Sequence, residues 1–136
     1  MQENSLTLSV NVDNDDGTTP AVDSVYTRQN VYQDRSEYIH EDHTLELRDK
    51  LGFYRTIPKA NGNFRGTAKT SAKLTKDYVV SGVDASTTLV SPAIAEAGFS
   101  FPVGMTPAQT LEVRMRLVAL ILDDDIMADL CDKQEI

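Results

Sequence analysis

Residues 63–74 read Asn-Phe-Arg-Gly-Thr-Ala-Lys-Thr-Ser-Ala-Lys-Leu, and the alternation within them decides the fold. Side chains of an extended chain point to opposite faces with a period of two. Arg65, Thr67, Lys69, Ser71 and Lys73 therefore share one face, while Gly66, Ala68, Ala72 and Leu74 share the other. Such a strand belongs to a sheet with one buried and one solvated face, the habit of antiparallel sheets. Its cations recur about every 6.6–7 Å. Lysine and arginine neutralise phosphates, and short hydroxyls bond base edges or backbone, so this face suits nucleic acid.

The flanking sequence extends the sheet. A preceding strand over 43–57 closes at Ile57-Pro58-Lys59-Ala60-Asn61-Gly62, whose Asn-Gly pair marks a hairpin. Its alternation puts Leu45 and Leu47 on the apolar side and Thr44, Glu46 and Arg48 on the polar one. The quoted strand continues over 63–80 to a glycine-containing turn at 81–85, and a last strand covers 86–101. There Ala95, Ala97, Phe99 and Phe101 face inward, Ile94, Glu96, Gly98 and Ser100 face outward, and Pro92 implies a bulge or an unpaired donor.

Toward the N-terminus, Leu6, Leu8, Val10 and Val12 alternate with polar residues, predicting a hairpin over about 5–27. Its acidic turn at 13–17 lacks the ligand order and closing glutamate of a calcium loop, so a plain turn is expected. Short strands over 29–41 flank Asp34-Arg35.

At the other end the period changes. Thr106-Pro107-Ala108-Gln109 combines an N-cap, a first-turn proline and a capping-box glutamine, predicting a helix over 107–122. Asp123, Asp124 and Asp125 end it and open a second helix over 124–133. The expected class is α+β: one domain over 1–136 with an N-terminal β-hairpin, an antiparallel sheet of about five strands, and two C-terminal helices that cover its apolar face. The first helix carries two apolar stripes, Leu111, Met115, Val118, Leu122 and Val113, Leu117, Leu120, Ile121. One sheet needs only one stripe. A dimer or higher oligomer is therefore expected, with Leu111, Met115, Leu117, Val118 and Ile121 at its interface.

Charge agrees once it is partitioned. The 136 residues carry a net charge of −8. The stretch 48–76 nevertheless holds eight bases against one acid, or +7, leaving −15 for the rest. An acidic chain thus contains a basic middle.

Other chemistries find little support. His40 and His43 lie three apart on an expected strand, hence on opposite faces, and no metal is expected between them. Cys131 is the single cysteine and reads as a small hydrophobe, with no internal disulfide. No phosphate loop, nucleophile elbow or paired-carboxylate spacing is present, so neither an enzyme nor a cofactor is expected. No apolar run is long enough to span a membrane, no signal segment opens the chain, and the acidic total argues against docking on an anionic membrane, so no membrane partner is expected. A single cysteine and no Asn-x-Ser/Thr site make a reducing cytosol the expected compartment.

In element order the chain resembles the coat proteins of single-stranded RNA bacteriophages, the leviviruses. The likeness is sharpest from Ala93 onward, in Ala-Ile-Ala-Glu-Ala-Gly-Phe-Ser-Phe, Met-Thr-Pro-Ala-Gln and Val-Ala-Leu-Ile-Leu-Asp-Asp-Asp, and in the strand Asn63 to Lys69. The resemblance implies an interlocked homodimer in which each chain's helices pack over the other's sheet. It further implies an icosahedral shell around genomic RNA, assembled in the bacterial cytoplasm, and an operator RNA hairpin bound to repress translation. By the same resemblance Thr67 and Lys69 match an adenine-pocket threonine and its lysine, Thr44 a threonine on the neighbouring strand, and Arg48 and Arg65 basic contacts. Ser71 and Lys73 continue that face. Ile94 stands where the family often has a base-stacking tyrosine, and Glu46 and Glu96 replace small or polar residues, which favours general genome binding. The loop 81–86 has no cysteine for the inter-dimer disulfides of some shells. A dimeric RNA-binding regulator that builds no shell is the alternative.

Overall fold

A computed structural model describes residues 3–11 and 20–135, so the acidic turn at 13–17 lies outside the described residues. Strands β1 (Ser5–Val10), β2 (Val22–Val31), β3 (Arg35–His40), β4 (Asp49–Thr56), β5 (Thr67–Ser81) and β6 (Thr88–Pro102) precede α1 (Pro107–Ile121) and α2 (Asp124–Ala128). The strands form one sheet in sequence order, antiparallel throughout. The α+β class stands. The sheet has six strands rather than about five, because the N-terminal hairpin pairs through β2 with β3 instead of standing apart.

Two strand starts differ from the expected ones. β4 begins at Asp49, not at 43, because 41–48 forms a loop closed on itself: the Thr44 amide donates to Leu47 O at 2.9 Å and the Leu47 amide to Thr44 Oγ1 at 2.9 Å. Leu45 in that loop is fully exposed. β5 begins at Thr67, not at 63. Gly66 holds φ +92° with the Lys59 carbonyl oxygen 2.5 Å from where a Cβ would sit, a close approach only glycine permits. Residues 61–64 form a tight turn closed by the Asn61–Phe64 bridge, as the Asn-Gly pair predicts.

Pro92 causes no bulge. The β5–β6 register runs unbroken through Asp77↔Pro92, and the Asp77 amide donates to Arg48 O on the β4 side. The pair's amides thus point away from each other, so the missing N–H of Pro92 falls on the open edge of β6.

The helix start is as the sequence predicts. Thr106 Oγ1 accepts from the Gln109 amide at 3.3 Å, and Gln109 Oε1 accepts from the Thr106 amide at 2.9 Å. Asp123 caps α2 by accepting from the Ile126 amide at 3.1 Å. α2 is shorter than expected, and a π-helical turn over Asp129–Lys133 completes the segment and leaves Cys131 exposed, not buried as a small hydrophobe is expected to be.

The core is thin and lies on one face of the sheet. Tyr26, Tyr38 and Leu51 are buried, with Leu6, Phe53 and Leu74 packed against them. Tyr38 meets Phe53 edge to face at 5.7 Å and donates to Glu3 O at 3.0 Å. Register continues this face through Ala72, Ala95, Ala97, Phe99 and Phe101. The helices do not cover it. α1 contains no buried residue, and its substantial packing within the chain is against α2. The chain exposes 10563 Å², whereas a compact monomer of 15.0 kDa exposes about 7,000 Å².

Candidate nucleic-acid interface

The register of the three long strands builds the opposite face. Along β5 it presents Thr67, Lys69, Ser71, Lys73 and Thr75. Their neighbours on β4 are Thr56 beside Lys69, Tyr54 beside Ser71, Gly52 beside Lys73 and Lys50 beside Thr75. On β6, Pro102, Ser100, Gly98, Glu96 and Ile94 oppose the same five residues. Thr67, Lys69, Ser71, Lys73, Ile94 and Glu96 thus share one face, as their alternation predicts.

Thr44, Glu46, Arg48 and Arg65 do not join them on strands. Thr44 and Glu46 sit in the 41–48 loop, where the Thr44 hydroxyl is engaged with Leu47. Leu45 and Leu47 imitate strand alternation there, but the local turn outweighs it. Arg65 precedes the kink at Gly66. Arg48 is spent on Asp77, whose side chain is 4% exposed, through Nε at 2.8 Å and Nη2 at 3.1 Å. Hydrogen bonding to Arg48 holds the Asp77 carboxyl below its ordinary value and raises the Arg48 guanidinium.

The basic middle also divides between the faces. Lys76, on the apolar face, reaches Asp49 at 3.8 Å. Arg55, also on that side, donates to Gln33 O from Nε and Nη2 at 3.1 and 2.7 Å. Lys50, Lys69 and Lys73 remain on the polar face. Among the described residues no carboxylate lies within 4.0 Å of any of them. Glu96 is directly across from Lys73 and Glu37 across from Gly52, so the cations are moderated without being paired.

Lys50, Tyr54 and Thr75 belong to this face and escaped the sequence reading. Their signal was available in the expected strand 43–57, where Lys50, Gly52, Tyr54 and Thr56 alternate against Leu51 and Phe53 in phase with Thr44, Glu46 and Arg48, but the polar side was followed only as far as Arg48. The Tyr54 ring lies over Gly52: a Cβ there would meet the Tyr54 hydroxyl at 2.7 Å. Glu37, Lys50, Gly52, Tyr54, Lys73 and Thr75 line a depression of about 110 Å³ on the face. Chemically it offers two ammonium donors, a hydroxyl and a carboxylate around an aromatic ring, groups that bind phosphate and base edges.

No protein-family model and no curated protein matches the chain. Solved structures do. The virus-like particle of Beihai levi-like virus 32 is 20% identical, with a TM-score of 0.72 over 83% of this chain and 88% of that one. The virus-like particle of bacteriophage AVE019 is 18% identical, with a TM-score of 0.74 over 96% and 94%. That of Beihai levi-like virus 21 is 17% identical, with a TM-score of 0.69 over 96% and 95%.

The chain has the levivirus-type coat fold. In this chain the outlying C-terminal helices leave the β6 end of the apolar face open, with the lysine face on the other side of the sheet. The five expected interface residues lie on α1. Leu111, Met115, Val118 and Ile121 are 48, 53, 43 and 49% exposed, and Leu117 is half-buried.

Proposed function

We propose that the chain is a viral capsid protein that dimerises and assembles into an icosahedral shell around single-stranded RNA. The observation that carries this reading is an apolar helix, and the β6 end of an apolar sheet face, left open in one chain whose fold is shared with virus-like particle subunits. Each chain exposes about 3,500 Å² more than a compact monomer, which leaves room for the large interface of an obligate dimer. Exchange of helices between two copies would cover the open stretch of each apolar face, at Ala95, Ala97, Phe99 and Phe101, with Leu111, Met115, Leu117, Val118 and Ile121 of the other. The role is structural, not catalytic.

RNA binds the opposite face, where Lys50, Lys69 and Lys73 neutralise phosphates and Thr67, Ser71, Thr75 and Ser100 supply hydrogen bonds. Ile94 offers no ring for stacking, so charge contributes most of the affinity and the salt dependence is steep. An operator hairpin, bound as a translational repressor, occupies the same face. The protein is accordingly a virion component assembled in the bacterial cytoplasm, with itself and viral RNA as partners.

Electron microscopy of the chain expressed alone in bacteria tests the shell. Closed particles of uniform diameter are expected. A dispersed RNA-binding dimer under all conditions would overturn the shell and leave a regulator in its place.

A further inference from the structure

A second cluster of titratable groups lies away from the lysine face, where β3 hands over to β4. Asp49 is the first residue of β4 and is buried. Its amide points toward β3, but β3 has ended at His40, and the His40 carbonyl is already taken by the His43 amide at 3.0 Å. The Asp49 amide instead donates to His43 Nδ1 at 3.0 Å. Within the loop, the Asp42 amide donates to His40 Nδ1 at 3.1 Å. His43 thus stands where a strand carbonyl would have been, and His40 closes the start of the loop. Each accepts at Nδ1, which places its proton on Nε2 and requires the ring to be neutral.

We infer that His40 and His43 form an acid-released latch on the loop 41–48: neutral imidazoles hold it closed, and their protonation frees it while the sheet stays folded. An imidazolium has no lone pair to offer, so protonation removes both backbone hydrogen bonds together.

The surrounding groups determine which end of the loop is released. Against His40 stand the Tyr26 ring of β2 at 5.1 Å, Asp42 of the loop at 3.6 Å and Asp49 of β4 at 3.7 Å. Lys76 of β5 approaches the same Asp49 oxygen at 3.8 Å, and Tyr78 of β5 lies close enough to act on Tyr26. A charged His40 therefore turns its new N–H from the Asp42 amide toward the two carboxylates, with Lys76 opposing. His43 lies within electrostatic reach of Asp77, which is engaged by Arg48. That ion pair ties the end of the loop to β5 and persists to lower pH, because Arg48 keeps Asp77 ionised. The loop therefore opens at its His40–His43 end and stays pinned at Arg48.

Residue-resolved hydrogen exchange of the full-length protein tests the latch. Protection factors of the Asp42 and Asp49 amides, corrected for intrinsic rate, are expected to fall at least tenfold from pH 7.5 to 5.0, while Leu51 and Leu74 stay protected. In a His40→Asn/His43→Asn variant, whose amide oxygens replace Nδ1 without titrating, the two factors should hold. Unchanged protection in the native protein, or an equal fall in the variant, would overturn the proposal. Nitrogen chemical shifts of the native imidazoles supply a readout independent of the variant's folding. The Nε2–H tautomer at pH 7.5 is expected, and an Nδ1–H tautomer would overturn it.

Discussion

Asp77 accepts three hydrogen bonds from the single residue Arg48: its backbone amide at 3.0 Å, Nε at 2.8 Å and Nη2 at 3.1 Å. The Asp77 amide donates back to Arg48 O at 2.8 Å. This reciprocal clamp begins the β4–β5 ladder and engages an arginine that the sequence places among the candidate RNA contacts.

The clamp predicts an acid dependence. Arg48 lowers the folded-state pKa of Asp77 beneath its ordinary 3.8. The associated stability is therefore fully present above the unfolded carboxylate pKa of about 3.9 and is lost as pH falls through the lowered folded value. Melting temperatures recorded from pH 6 to 2.5 should drop more steeply for the native protein than for Asp77→Asn. Arg48→Met should lower the melting temperature by several degrees at pH 7, because it leaves the Asp77 carboxylate without its partner.

At the alkaline end the sign reverses. Burial, then the nearby Asp49 carboxylate, push the Tyr26 phenol up to about 12. Its hydroxyl donates to Asp49 Oδ1 at 3.2 Å. A raised folded-state pKa stabilises fully below the unfolded value near 10 and stops doing so as pH rises through about 12. Spectrophotometric titration near 295 nm should show a tyrosine ionising about two units later than the exposed ones, and Tyr26→Phe should remove that late step.

Much of this architecture was legible in sequence, for identifiable reasons. Thr67 to Thr75 alternates without interruption, and its faces came out as read. Thr106-Pro107-Ala108-Gln109 carries its whole capping chemistry in four residues. Thr44, Glu46 and Arg48 were misplaced because Leu45 and Leu47 alternate like a strand, while two deciding contacts, Thr44 to Leu47 and Arg48 to Asp77, have no signature in period. Residue pattern alone puts the helices over the apolar face of their own sheet, whereas the levivirus resemblance puts them over a partner's. Here α1 packs within the chain chiefly against α2, and its excess of apolar residues was the local signal for that.

Substitutions on the lysine face should separate binding from folding. Lys69→Ala with Thr67→Ala should weaken RNA binding while leaving the thermal transition in place. Lys69→Ala with Lys73→Ala should reduce the slope of log affinity against log salt by roughly 1.4 on single-stranded RNA. Glu96→Gln, which removes the carboxylate across from Lys73, should tighten binding. Filter binding at several salt concentrations measures all three.

The helix face makes a separate prediction. Met115→Asp or Val118→Asp would place a charge among apolar residues that the reading buries between copies, at a cost of several kcal/mol. Light scattering should report loss of the dimer or insolubility. A soluble dimer of native stability would mean that α1 packs elsewhere.

The central claim is that this chain encloses RNA in a shell of its own copies. Size-exclusion chromatography of the protein expressed alone, monitored at 260 and 280 nm before and after nuclease treatment, tests it most directly. The account predicts a megadalton peak whose nucleic-acid absorbance survives the nuclease. A peak at the mass of a dimer, free of RNA under every condition tried, would contradict it.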